Sequence, residues 1–203
     1  MTCHDRPTNQ LILASGSPRR RHLLESIGLT FEVLPADIDE TEHPGEPARS
    51  YVERVAAEKA AAVADRLVAD GRSEFAVLAA DTTVDLDGSI LAKPVDDVDA
   101  ARMLLALAGR THQVHTAVVG RTSSQTHTVT VTTDVTFIRF SEQEIEWYLS
   151  IGEHLDKAGA YGMQTAGGAL VERIDGSPTN VIGLPLAETI SLLQACGVEA
   201  ARS

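Results

Sequence analysis

The chain has 203 residues, 43% of them hydrophobic and 23% charged, the balance of an ordinary globular protein long enough for one well-buried domain. Acidic residues outnumber basic ones by 29 to 17, for a formal charge of -12 at pH 7, which argues against non-specific nucleic-acid or anionic-membrane binding. The two cysteines, Cys3 and Cys196, make neither a disulfide framework nor a zinc motif, and no secretion-type or membrane-length apolar run occurs, so a cytoplasmic location is the default expectation.

Residues 11–14 predict a short buried strand closed by the turn residues Ser15, Gly16 and Ser17. Ser17 as N-cap, Pro18 at the first helical position and Gly28 past the end bound a helix whose inward stripe is Leu23, Leu24 and Ile27. Residues 31–34 predict a second strand, followed by the acidic loop PADIDETEHPGE. A long helix is expected from about 47 to 68, with Tyr51, Val55, Ala62 and Val63 among its inward residues. FAVLAA is an apolar run of strand length that ends at Asp81, and Asp87-Gly88, between TVDL and SILA, signals a hairpin.

Further along, residues 97–108 predict an amphipathic helix stopped by Gly109. The β-branched runs THQVHTAVVG and VTVTTDVTFIRF predict two long neighbouring strands. Ser141 and Glu144 form a capping-box pattern at the head of a helix ending at Gly152. A glycine-rich loop at 159–168 precedes the strand ALVERI, a turn at Asp175-Gly176 and a last helix at 184–193. With no repeat or linker, the whole chain, 1–203, is expected to form one α/β domain with a mixed sheet.

SGSPRRR raises a chemical question. Three arginines in the first turn of a helix oppose the macrodipole, which favours anions there. Free N–H groups at the helix start, small residues in the turn and the forked donors of Arg19 and Arg20 together suit a phosphate; a capped helix with surface salt bridges is the alternative. Asp81, at the end of an apolar run, suits a general base if its pKa is raised, and equally suits a turn cap with Thr82 and Thr83. The Asp87-Gly88 hairpin would return Lys93 to the neighbourhood of Asp81. Lys59 by itself reads as an exposed helical lysine beside a glutamate. Asp37, Asp39 and Glu40 are hard oxygen donors suited to magnesium or manganese, or simply a solvated loop. His112 and His115 fall on opposite faces of a strand, against shared coordination, and no Walker or dinucleotide glycine motif occurs.

In order and spacing, LILASGSPRRRHLL, DIDE, AAEKAAAVA, AADTTVDLDGSILAKP, GRTHQVHTAVV, GEHLDKAGAYGMQ and VERIDGSPTNVIGLPL resemble the Maf family of nucleoside triphosphate pyrophosphatases, over about 11–193. The resemblance implies a mixed twisted sheet with flanking helices, in an elongated two-lobed fold like that of inosine triphosphatases. It implies hydrolysis of a nucleoside triphosphate to the monophosphate and pyrophosphate with a divalent cation, Mg2+ or Mn2+, and often a homodimer. Asp81 corresponds to the family's catalytic aspartate, Lys59 and Lys93 to its basic residues, and Arg19 and Arg20 to its phosphate-binding arginines, beside Ser15 and Ser17. Glu40 corresponds to its acid, with Asp39 alongside and Asp81 opposite as metal ligands. GAYGMQ is similar to the branch preferring dTTP and UTP, with Arg19, Thr82 and Gln164 at the specificity positions. Thr165 stands where glycine usually follows that glutamine, and SPTN where SYSN is commoner. Modified pyrimidine triphosphates, and a regulator of septum formation that binds nucleotide without turnover, are the rival readings.

Overall fold

The structure is a computed structural model that describes residues 9–198; Cys3 lies outside the described residues. One mixed sheet contains β1 (Gln10–Leu13), β2 (Glu32–Val33), β3 (Phe75–Leu86), β4 (Ser89–Leu91), β5 (Thr111–Arg121), β6 (Thr126–Phe137) and β7 (Val171–Asp175). The strand order is β2-β1-β3-β5-β6-β7, with β4 paired to β3. The pairs β1–β2 and β1–β3 are parallel and every other pair is antiparallel. The α-helices of the described residues are α1 (Pro18–Ser26), α2 (Ala48–Ala69), α3 (Asp97–Leu107), α4 (Glu142–Ser150), α5 (Pro178–Ile182) and α6 (Leu186–Ala195). Among the described residues no helix is long and apolar enough to cross a membrane. The expected mixed sheet with flanking helices is present.

Three apolar clusters hold the sheet and its helices together. Val52, Ala56, Val63 and Leu67 of α2 cover one face of β1, β3 and β5, against Ile12, Phe75, Val77 and Val119. Leu23 and Leu24 of α1 and Leu192 and Leu193 of α6 cover the other, against Leu11, Leu13, Leu78 and Val118. Beyond them, α3 and α4 pack Met103, Leu104, Leu107, Ile145 and Tyr148 on the far ends of β3, β5 and β6. Along α2 the buried positions recur every three or four residues, so its stripe is set by helical period. Ala62 falls off that stripe and is exposed, contrary to the sequence expectation, whereas Val55 and Val63 are buried.

The sequence expectation that a strand ends at Asp81 is corrected: β3 runs on for 12 residues, and Asp81 lies inside it. The cause is β5, which pairs with β3 without interruption from Val77↔Arg121 to Asp85↔Gln113, and the β-branched Thr82, Thr83 and Val84 favour that extension. The other edge of β3 is discontinuous. Residues 75–78 pair with β1 and residues 84–86 with β4, so the stretch between them is open on that side. The β3–β4 connection is the expected two-residue hairpin, with Asp87 at φ 54° and Gly88 at φ 83°, as a primed turn requires.

Candidate active site

Alternation along β3 sends Asp81 and Thr82 to opposite faces of the sheet. Because the edge of β3 is open there, both still reach one cleft of about 690 Å3. The cleft lies beyond the carboxyl end of β1, where parallel pairing gives way to antiparallel, a position at which α/β sheets commonly bind ligands. Every site residue that the resemblance assigns lines it, whereas Asp37 of the acidic loop does not.

On the α2 side the cleft is ionic. Lys59 lies on the buried stripe of α2 and is only 8% exposed, so the reading of it as a surface lysine is corrected. Its Nζ donates to Asp81 Oδ1 at 2.8 Å and to Glu40 Oε2 at 2.7 Å. Burial raises the Asp81 carboxyl above its ordinary value, opposed by the charges of Lys59 and Arg20. Tyr51, absent from the sequence candidates for the site, lines the cleft and donates its hydroxyl to the Glu40 carbonyl at 3.0 Å, which anchors the acidic loop. Burial, with the Asp81 and Glu40 charges, pushes the Tyr51 phenol up to about 12.

Asp39 is drawn aside. Its Oδ1 accepts from the Thr41 hydroxyl at 2.6 Å and the Thr41 N–H at 2.9 Å, and these bonds hold its carboxyl below the usual range. The expected ligand set of Asp39, Glu40 and Asp81 is therefore not assembled: among the described residues no three His, Cys, Asp or Glu side chains are grouped to hold a metal. Two hard carboxylates still flank one cationic position, now occupied by the Lys59 ammonium. That donor set suits magnesium, which binds through one or two carboxylates and takes its other oxygens from phosphate and water.

On the α1 side the cleft is a network of hydrogen bonds. Arg20 is buried, and each of its nitrogens has a protein acceptor: Nε gives to the Gly183 carbonyl at 2.8 Å, Nη1 to Ser15 Oγ at 3.2 Å, and Nη2 to Thr82 Oγ1 at 3.0 Å. Burial lowers its pKa and Asp81 opposes the shift, yet an arginine stays charged. Arg20 thus forms part of the wall, in place of the open phosphate fork that the sequence suggested. Ser17 occupies the N-cap position of α1 as expected, but its side chain makes no cap bond there.

Arg19 crosses the cleft instead. Its Nη1 bonds Asp156 Oδ2 at 2.9 Å and its Nη2 the Asp156 carbonyl at 3.2 Å, while Lys157 Nζ bonds Asp156 Oδ1 at 2.7 Å. Burial opposes ionisation of Asp156, but the bonds from Lys157 and Arg19 prevail and its carboxyl lies below the ordinary range. Lys93 and Gln164 are exposed on the cleft wall. The predicted glycine-rich loop contains two 3-10 turns, Ala158–Ala160 and Ala166–Leu170. Gly159 has φ 67°, and a Cβ there would meet Val84 Cγ2 at 2.9 Å, so this turn requires glycine.

Sequence reading missed α5 and the residues it supplies. Ser177-Pro178 repeats the punctuation of Ser17-Pro18, and Ser177 Oγ does accept from the Asn180 N–H at 3.2 Å. The histidine pair is structural, as expected. His112 Nε2 meets Tyr161 Oη at 2.8 Å and His115 Nδ1 meets Thr132 Oγ1 at 2.8 Å.

Residues 10–196 match the family model described as Maf-like protein. A dTTP/UTP pyrophosphatase of Anaeromyxobacter dehalogenans is 53% identical over 192 residues, covering 93% of this chain and 94% of that one. Proteins of the same name from Chromobacterium violaceum and Myxococcus xanthus are each 50% identical over 190 residues, covering 94% and 93% of this chain and 96% and 93% of theirs. The Staphylococcus aureus Ham1 protein superposes with a TM-score of 0.45 at 17% identity, over 63% of this chain and 71% of that one.

Proposed function

The chain belongs to the Maf-like protein family, and from that premise we propose that it hydrolyses dTTP and UTP to the nucleoside monophosphate and pyrophosphate. One observation supports this most: a buried carboxylate, Asp81, facing the same cleft as Lys59, Lys93, Arg19 and Arg20. A triphosphate repels an attacking oxygen nucleophile, so cations around it are the first requirement of its hydrolysis.

Water attacks the α-phosphorus, a new P–O bond forms, and the bond to the bridging oxygen of pyrophosphate breaks. Asp81 accepts the proton of that water, and its raised pKa makes it a better base than a solvated aspartate. Lys59 holds Asp81 in place and, with Lys93 and Arg19, offsets the negative charge that grows on the departing pyrophosphate. Ser15 and Ser17 line the approach to the α1 amino terminus, where free N–H groups favour an anion. A divalent cation, Mg2+ or Mn2+, would be held by Glu40 and Asp81 with phosphate oxygens, and would acidify the water and neutralise charge. Gln164, which both donates and accepts, suits a pyrimidine's carbonyl and ring N–H.

A panel of nucleoside triphosphates assayed for pyrophosphate release with magnesium and with manganese tests the reading. Release from dTTP and UTP, abolished in Asp81→Asn, is the expected result. Tight dTTP binding by the wild-type protein without any pyrophosphate would favour a nucleotide-binding regulator instead. The homodimer implied by the resemblance is checked by sedimentation.

A further inference from the structure

Thr82 is a half-buried hydroxyl of the cleft, on the face of β3 away from the ionic cluster. Its surroundings assign its proton. Thr116 Oγ1 lies 3.0 Å from the main-chain carbonyl of Asn180, which can only accept, so the Thr116 hydroxyl donates there. Thr82 Oγ1 lies 2.9 Å from Thr116 Oγ1, whose single proton is already committed, so Thr82 donates to Thr116. The remaining near neighbours of Thr82 agree. Arg20 Nη2 can only donate to it, and the Gly183 carbonyl, at 3.5 Å, can only accept from it. The relay runs one way, from Arg20 through Thr82 and Thr116 to Asn180.

The end of the relay is fixed by the Asn180 side chain, which is fully buried. Its Nδ2 donates to the Val114 carbonyl and to Thr133 Oγ1, both at 2.9 Å, which ties α5 to β5 and β6. A hydroxyl whose proton is held inside the wall has only a lone pair left to offer the cleft. The charged groups on the other face of β3 suit the triphosphate, and this uncharged hydroxyl suits the base.

We propose that Thr116 and Asn180 are positioning residues that make Thr82 an acceptor toward the cleft, and so select bases with an imide N–H, uracil and thymine, over cytosine. Cytosine presents an acceptor at the corresponding ring nitrogen, and two acceptors facing each other leave both unpaired. The inference rests on the pyrophosphatase reading above and adds the basis of its selectivity.

The test compares kcat/KM for dTTP and dCTP in the wild type, Thr116→Val and Thr116→Ser. The wild type is expected to prefer dTTP by about tenfold or more. Thr116→Val leaves the Thr82 proton only the Gly183 carbonyl at 3.5 Å, a contact too long to hold it against a ligand acceptor, so the preference should fall about tenfold, with dCTP turnover rising; Thr116→Ser keeps the relay and the wild-type ratio. An unchanged ratio in a folded Thr116→Val protein, judged by circular dichroism and melting, overturns the proposal. If that variant does not fold, Thr82→Val decides: a larger loss for dTTP than for dCTP supports the proposal and an equal loss refutes it. Wild-type protein that turns over both nucleotides equally sinks this inference alone. Release of pyrophosphate from neither sinks the pyrophosphatase reading and this inference with it.

Discussion

The two faces of β3 around its open edge solve the same packing problem by different means. On the α2 face, Asp81, Lys59 and Glu40 form an ion cluster in which two acids share one buried cation. On the α1 face, Arg20, Thr82, Thr116 and Asn180 form a chain in which each side-chain nitrogen or hydroxyl donates to an acceptor. The ion cluster carries a large desolvation cost, which its own pairing offsets. The chain is nearly saturated, so it sets shape and hydrogen-bond polarity but has little charge to exchange. Alternation along one strand thus puts an ion cluster on one side and a hydroxyl relay on the other, the division on which the proposed roles of Asp81 and Thr82 rest.

Substitutions separate the two faces. Asp81→Asn should lower kcat by about 10^3-fold or more while calorimetric dTTP binding persists, because it removes the base and keeps the shape. Lys59→Met leaves Asp81 buried without its nearest cation. Its pKa should rise further, so the acidic limb of the kcat/KM–pH profile should move to higher pH, with a loss of about 10^2-fold at neutral pH. An acid limb that stays in place would show that Lys59 does not control Asp81. The sign is fixed by the role: a base works only when ionised, so activity falls as pH drops through the raised Asp81 pKa.

Arg20→Met probes the saturated face. It strands Ser15, Thr82 and the Gly183 carbonyl, so urea denaturation should show a loss of about 3 kcal/mol, whereas the acid limb should shift less than in Lys59→Met. Away from the cleft, burial lowers the His112 pKa from 6.5 to about 4. Its contribution to stability is complete above pH 6.5 and is lost as pH falls towards 4, by up to about 3 kcal/mol, because only the unfolded chain takes the proton in that window. His112→Gln should flatten stability over the same range. At the rim, Asp156→Asn should change stability by less than about 1 kcal/mol, since the Asp156 side chain is 60% exposed, while tightening dTTP binding a few-fold by removing a carboxylate and freeing Arg19 for the phosphates.

Local pattern made much of the architecture legible. The stripe of α2, the Ser17-Pro18 start of α1, the Ser141–Glu144 capping box and the Asp87-Gly88 hairpin are read from a few consecutive residues, and all are present. The capping box is complete in both directions, with Ser141 N–H giving to Glu144 Oε2 at 2.7 Å. Two local readings failed because a distant partner decided them. Asp81 looked like a strand end, but β5 carries β3 past it. Lys59 looked like a surface lysine because nothing in AAEKAAAV shows that a carboxylate 22 residues away will lie beneath it. Asn180 and Thr116 stand inside motifs that carry the resemblance, but nothing local showed that they are joined, since a hydrogen-bond relay depends on registers between β3, β5 and α5 that no short stretch contains.

The amino-acid sequence by itself determined most of the elements of this protein, its family and many of the side chains that line the cleft, because period, capping and turn chemistry act over a few residues and the motifs keep a constant order. Only the tertiary structure decided what those side chains do to one another. Whether an arginine faces ligand or wall, which acid is drawn aside by a threonine, and which way a hydroxyl points its proton are set by contacts between residues far apart in the chain. Burial then makes each of those contacts count, because water is no longer there to replace a missing partner.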